Sequence, residues 1–188
     1  ANEPIKIPVV TFTSGGDPIN DTSVTYSHTS GHTWTAAYTV ESGDTSGAVG
    51  YSIAFDDTSS NTGTAVTSGS GSVSVDKTAP TLASVTAIAT PAADATPSFI
   101  FSSDEAGTIT SSLGFSTTTS AISGNNTITF SALSDGTYSG KTVTVTDASG
   151  NGTSLTIPTF AIDATGPTMT ITSSTVNSGA TSNSSSIS

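Results

Sequence analysis

Apolar and polar residues alternate in short runs along this chain. In "HTWTAAYTV", Trp34, Ala36, Tyr38 and Val40 take every second position, and in "GYSIAFDD" Tyr51, Ile53 and Phe55 do the same. Ile128 and Phe130 alternate in "NTITFSA", Val143 and Val145 in "KTVTVTD", Met169 and Ile171 in "TMTIT". A period of two is that of a strand with one buried face. Clusters of Gly, Asn, Asp and Ser break the runs at intervals of about 8–12 residues, the rhythm of antiparallel β-sandwiches. No stripe of 3.6-residue period extends beyond two turns. The pattern predicts an all-β chain with two cores. Trp34, Tyr38, Ile53 and Phe55 belong to the first; Val85, Phe99, Phe101, Ile128, Phe130, Val143 and Val145 belong to the second.

The runs themselves repeat. D-x-T-x-P-T occurs at Asp76 and again at Asp163, 87 positions later, with Pro80 and Pro167 at matching places. D-x-S-x-N occurs at Asp57–Asn61 and at Asp147–Asn151, each time between two predicted strands. Self-similarity at this spacing is the signature of a tandem array of small domains. "NEP" near the start matches "DEAG", which puts Glu3 on Glu105.

The segments "DEAG", "VTDASGNG" and D-x-T-x-P-T resemble the bacterial Ig-like repeats of giant cell-surface adhesins and biofilm-associated proteins. "WTAAYTVESGDTSGAVGYSIAFDDTSSNTGTAV" is similar to a common subtype, with "SSN" where "AGN" is usual. The resemblance covers nearly the whole chain. It implies seven-stranded Ig-like sandwiches stacked head to tail on the outside of a cell, and no enzyme. It also implies that Asp residues at the junctions serve as calcium ligands.

Under that reading residues 1–78 form a partial Ig-like domain, 79–165 a complete one, and 166–188 the first strand or strands of a following repeat. The first domain then lacks its first two strands, and "GPTMTITSSTVNSGATSNSSSIS" has no sandwich of its own. Two arrangements satisfy this: a window in a longer array, or copies that complete one another by strand addition. Both place Met169 and Ile171 against the Trp34–Tyr38 sheet of a following repeat. Pro80 and Pro167 stiffen the junctions.

Composition narrows the partners. The 188 residues carry a formal charge of -11, with 14 acidic residues, three Lys and no Arg. Nucleic acid and anionic membrane surfaces are poor matches for such a chain. Charged residues are 9% of the total, and Ser and Thr are about two in five. That surface stays hydrated and can carry sugars. Such composition also suits a disordered, glycosylated stalk; the period-two runs speak against that. There is no Cys, so disulfides and thiolate chemistry are excluded. No apolar run approaches the roughly 20 residues of a membrane-spanning helix.

Candidate chemistry is sparse. Asp56–Asp57 and Asp104–Glu105 are adjacent carboxylates, and neighbours on a strand face opposite ways, which suits no shared substrate. His28 and His32 are four apart, a metal-pair spacing on a helix, in a stretch with no helical pattern. There is no G-x-S-x-G, H-E-x-x-H or phosphate loop. Calcium prefers carboxylate and carbonyl oxygens. Its candidate ligands are Asp57, Asp76, Asp147, Asp163, Glu3 and Glu105. The alternative for each D-x-S-x-N loop is a plain Asx turn. N-x-S/T places possible glycans on Asn20, Asn125, Asn151 and Asn183. Lys6, Lys77 and Lys141 lie at edges or boundaries, unsuited to isopeptide cross-links. A carbohydrate-binding or spacer module on a secreted enzyme is the alternative function. It would display Trp34 on the surface, where a structural module would bury it.

Overall fold

The computed structural model describes residues 1–30, 32–117 and 119–170. Ile171 and Asn183 lie outside them, so the expectations placed on these two residues do too. The described chain is all-β, of the β-sandwich class, with antiparallel ladders and no helix.

The N-terminal half holds β1 (Val9–Ser14), β2 (Asp17–Pro18), β3 (Thr25–Ser30), β4 (Thr33–Ala37), β5 (Gly47–Ala54) and β6 (Ser74–Val75). Four of these form a sheet in the order β2-β1-β5-β6, and β3 and β4 form a separate hairpin. The C-terminal half begins with β7 (Leu82–Thr86), β8 (Ser98–Ser103), β9 (Gly107–Ser111) and β10 (Ser120–Ala121). It continues with β11 (Gly124–Thr129), β12 (Gly136–Tyr138), β13 (Thr142–Thr146), β14 (Gly152–Thr156) and β15 (Phe160–Ile162). One sheet runs β10-β9-β13-β14, a second runs β11-β8-β7, and β12 pairs with β15. No strand pairing among the described residues joins one half to the other.

The halves share an order. β2-β1-β5 matches β10-β9-β13 strand for strand. Gly47 opposes Val75 as Gly136 opposes Ile162, and both glycines have φ near +140° (140° and 147°). Positive φ at this point is open to Gly at little steric cost.

The alternating residues of the C-terminal half do become its core. Phe99, Phe101, Ile128, Phe130, Val143 and Val145 are each 0% exposed. They come from facing sheets, and Ile109, Ile157, Phe160 and Ile162 close the cluster. The Phe130 and Phe160 rings stack at 6.3 Å, and Tyr138 covers Phe160 at 5.1 Å. Each such burial stabilises by roughly 1.5–3 kcal/mol.

Two expectations about packing fail. Val85 is 47% exposed rather than buried. The β7–β8 register slips between Ser84 and Thr86, which leaves Val85 as the extra residue of a bulge. The period-two count therefore breaks there, and Ile88 enters the core instead. Trp34, Tyr38, Ile53 and Phe55 are only half-buried. In that half the β3–β4 hairpin stands where the C-terminal half has a three-stranded sheet. Val10 and Val75 are its buried aliphatic residues.

Candidate functional site

The two D-x-S-x-N loops fold alike, for a reason internal to the motif. Asp147 Oδ1 accepts the Ser149 and Asn151 amides, both at 2.8 Å, and Asn151 Nδ2 donates to Asp147 Oδ2 at 2.9 Å. Asp57 Oδ1 accepts the Ser59 and Asn61 amides, again at 2.8 Å, and Asn61 Nδ2 donates to Asp57 Oδ2 at 2.7 Å. In each loop the Asp amide donates to the Asn carbonyl at 2.9 Å. The fourth position has positive φ in both, 72° at Ser60 and 94° at Gly150. These bonds hold both carboxyls below their ordinary range: the Asn61 side chain contributes most for Asp57, and the Asn151 side chain for Asp147. The Asx-turn reading of the loops is thus realised in both.

The second loop does more. Asn151 Nδ2 also donates to the Asp76 carbonyl at 3.1 Å, and Ser149 Oγ lies 3.5 Å from Asp76 Oδ2. The boundary residue is drawn onto the loop of the next half. Asp76, Glu105 and Asp147 then offer carboxylate oxygens that all lie within 4.8 Å of one another. Burial, and after it the charges of Asp76, Asp104 and Asp147, pushes the Glu105 carboxyl up. Asp104 is fixed beside it by the Thr81 amide at 2.6 Å. Three carboxylates at this spacing make a partial shell for a hard cation.

The other three candidates are elsewhere. Glu3 and Asp57 share a separate small cleft with Asn61 in the N-terminal half. Asp163 is exposed at the far end of the C-terminal half, its amide bonded to the Ala92 carbonyl at 2.9 Å. Of the six expected ligands, Asp76, Glu105 and Asp147 meet at the first junction, and Glu3, Asp57 and Asp163 stand apart from them. Asn61, Asp104, Ser149 and Asn151 were not counted as contributors, and the repeated motif was the signal that held three of them.

The sequons differ in availability. Asn125 is exposed on β11. Asn20 is occupied by Asp44, which accepts its amide at 2.7 Å and its Nδ2 at 3.2 Å. Asn151 holds the loop just described. The histidines do not form a metal pair: His28 lies on β3 with its ring 4.8 Å from that of Trp34, and His32 stands in the turn.

A further opening is apolar. A cleft of about 390 Å³ runs through the N-terminal half between β4 and the β1–β5 sheet. Val10, Phe12, Trp34, Ala36, Ile53 and Phe55 line it. β4 bonds to β3 along one edge, and its other edge pairs with no strand among the described residues. In the C-terminal half β11 pairs with β8, which carries Phe99 and Phe101 into the core. No family model, curated protein or solved structure matched the chain.

Proposed function

We propose that this chain is a structural module of an extracellular repeat protein, built head to tail from Ig-like domains as a surface stalk, adhesin or filament subunit. The observation that carries this is the internal repetition: one strand order, one glycine register and one Asp–Asn loop appear twice. Among the described residues the first copy shows no counterparts of β7 and β8, and strand addition from a neighbouring copy or repeat supplies them. Few charged residues and an abundance of Ser and Thr suit an exposed, hydrated stalk.

The alternative, a carbohydrate-binding module, gains less support. Trp34 is half-buried, which by itself decides nothing. Its surroundings are mostly aliphatic and aromatic, with His32, Thr35 and Tyr51 as the polar-bearing residues of the lining, whereas a sugar site needs convergent polar groups. Calcium is a secondary reading, supported by the Asp76–Glu105–Asp147 cluster alone. Antibodies against the chain test the main proposal on intact cells of the source organism. Gold label along external appendages, removed by added protease, is the expected result. Label confined to permeabilised cells overturns it.

A further inference from the structure

The two copies of D-x-T-x-P-T sit in opposite circumstances. After Asp76, Pro80 is fully buried and Leu82 packs against the core. After Asp163, Pro167 is exposed and Met169 is 87% exposed. Asp76 itself meets the Ser149–Asn151 end of a loop, whereas the similarly folded Asp57–Asn61 loop meets Lys6, whose Nζ donates to Ser60 Oγ at 2.5 Å, and no counterpart of Asp76 among the described residues. Beside that loop opens the apolar cleft. The segment after Asp163 thus carries the pattern of a plug, and the N-terminal half that of a socket.

We infer that the segment from Asp163 onward of a second copy docks on the N-terminal half, reproducing across copies the junction found within the chain. Asp163 takes its place on the Asp57–Asn61 loop as Asp76 does on Asp147–Asn151. Asn61 Nδ2 donates to the Asp163 carbonyl as Asn151 donates to that of Asp76. Glu3 and Asp57, which already share a cleft, stand for Glu105 and Asp147. Asp163 precedes Pro167 by four residues and Met169 by six, the spacing from Asp76 to Pro80 and Leu82. Anchoring Asp163 therefore delivers Met169 to the mouth of the cleft. Backbone bonds to an open strand edge supply the affinity, and alternate side chains in the cleft supply the register. The carboxylates split over three separate places are, on this account, two triads: one formed within a chain, one formed between chains.

This inference rests on the head-to-tail reading and can fail without it: surface labelling with no strand docking leaves the stalk standing. The chain has one Trp, in the cleft, and no Cys, which permits two independent tests. In the first, a synthetic peptide of residues 163–188 is titrated into the Met169→Asp chain, whose own plug is spoiled. The expected result is a blue shift of Trp34 emission, with a Met169→Asp peptide binding at least about tenfold more weakly. In the second, Asp163→Cys with Ser59→Cys is oxidised in dilute solution. The expected product is a ladder of disulfide-linked multimers. Asp76→Cys with Ser149→Cys, which closes within one chain, is the control. Three results overturn the inference: Trp34 emission indifferent to the peptide, Trp34 emission responding instead to soluble oligosaccharides, or the Asp163–Ser59 pair closing within a single chain or not at all while the control closes.

Discussion

Asn151 holds Asp147 and Asp76 at once: its Nδ2 lies 2.9 Å from the Asp147 carboxylate and 3.1 Å from the Asp76 carbonyl. A loop that closes on itself is thereby also a clamp on the preceding residue stretch. The pair of bonds gives Asn151 a role that its counterpart Asn61 performs only in part.

Replacing Asn151 with Ala removes both bonds and leaves the Asp147 carboxylate short of a donor. A loss of about 1–3 kcal/mol is expected in urea unfolding of the C-terminal half. Asn61→Ala should cost less in isolated chains, since it breaks only the contact within its own loop.

Acidity should act on the cluster in two opposite directions. The folded Glu105 carboxyl is raised, so its stabilising contribution is full below the usual 4.5 and is lost as pH rises through its folded value. At neutral pH its charge is unfavourable, and Glu105→Gln should raise the urea midpoint there, with the gain shrinking as the solution is acidified. Asp147 is lowered, so its contribution is present above its usual 3.8 and disappears as pH falls through the folded value. Asp147→Asn should therefore be costly at pH 7 and close to neutral in strong acid.

Calcium links to the same group. If the cluster takes the ion, calcium raises the melting temperature of the unaltered chain, and a chelator reverses it. Glu105→Gln should abolish that response while itself stabilising the calcium-free chain. Melting curves that respond equally in both proteins would place the ion elsewhere.

Truncating an aromatic ring should report which half has a closed core. Phe101→Ala empties a fully buried site and is expected to cost about 3–5 kcal/mol. Phe55→Ala lies on the open cleft, where part of the ring is already wet. Roughly half that cost is expected. Equal costs would mean the cleft is closed in solution.

Gly47 and Gly136 should separate backbone strain from crowding. Both have φ that L side chains rarely adopt, at about 1–3 kcal/mol each. A Cβ on Gly136 meets nothing within 4 Å, whereas one on Gly47 would sit 2.7 Å from the Gly15 Cα. Gly47→Ala should therefore be the more damaging in thermal unfolding.

The period-two runs were enough to place the C-terminal core, because most inward positions on β8, β11 and β13 hold large apolar residues, with Ser103 and Asn126 the buried polar ones at the strand ends. They could not place Val85, since a bulge changes the face without changing the local pattern. Nor could they show that Trp34 and Phe55 would be half-wet: alternation records which face a residue takes, not whether a second layer covers it. The D-x-S-x-N loops were legible as turns because the Asp side chain bonds its own backbone. Two junctions were legible from the recurrence of Asp76 and Asp163; which of the other acids would meet Asp76 was not, as it depends on which loop meets the end of the neighbouring half.

Among the described residues every ladder closes within its own half, and the halves differ in how well they exclude water. Heat need not therefore dissolve them together. The chain alone should lose its structure in two events, the open half at lower temperature, and amide exchange should be graded the same way. In a chain of docked copies the weaker half gains a cover and the two events converge. The strength of each unit then becomes a property of its neighbours as much as of its own residues.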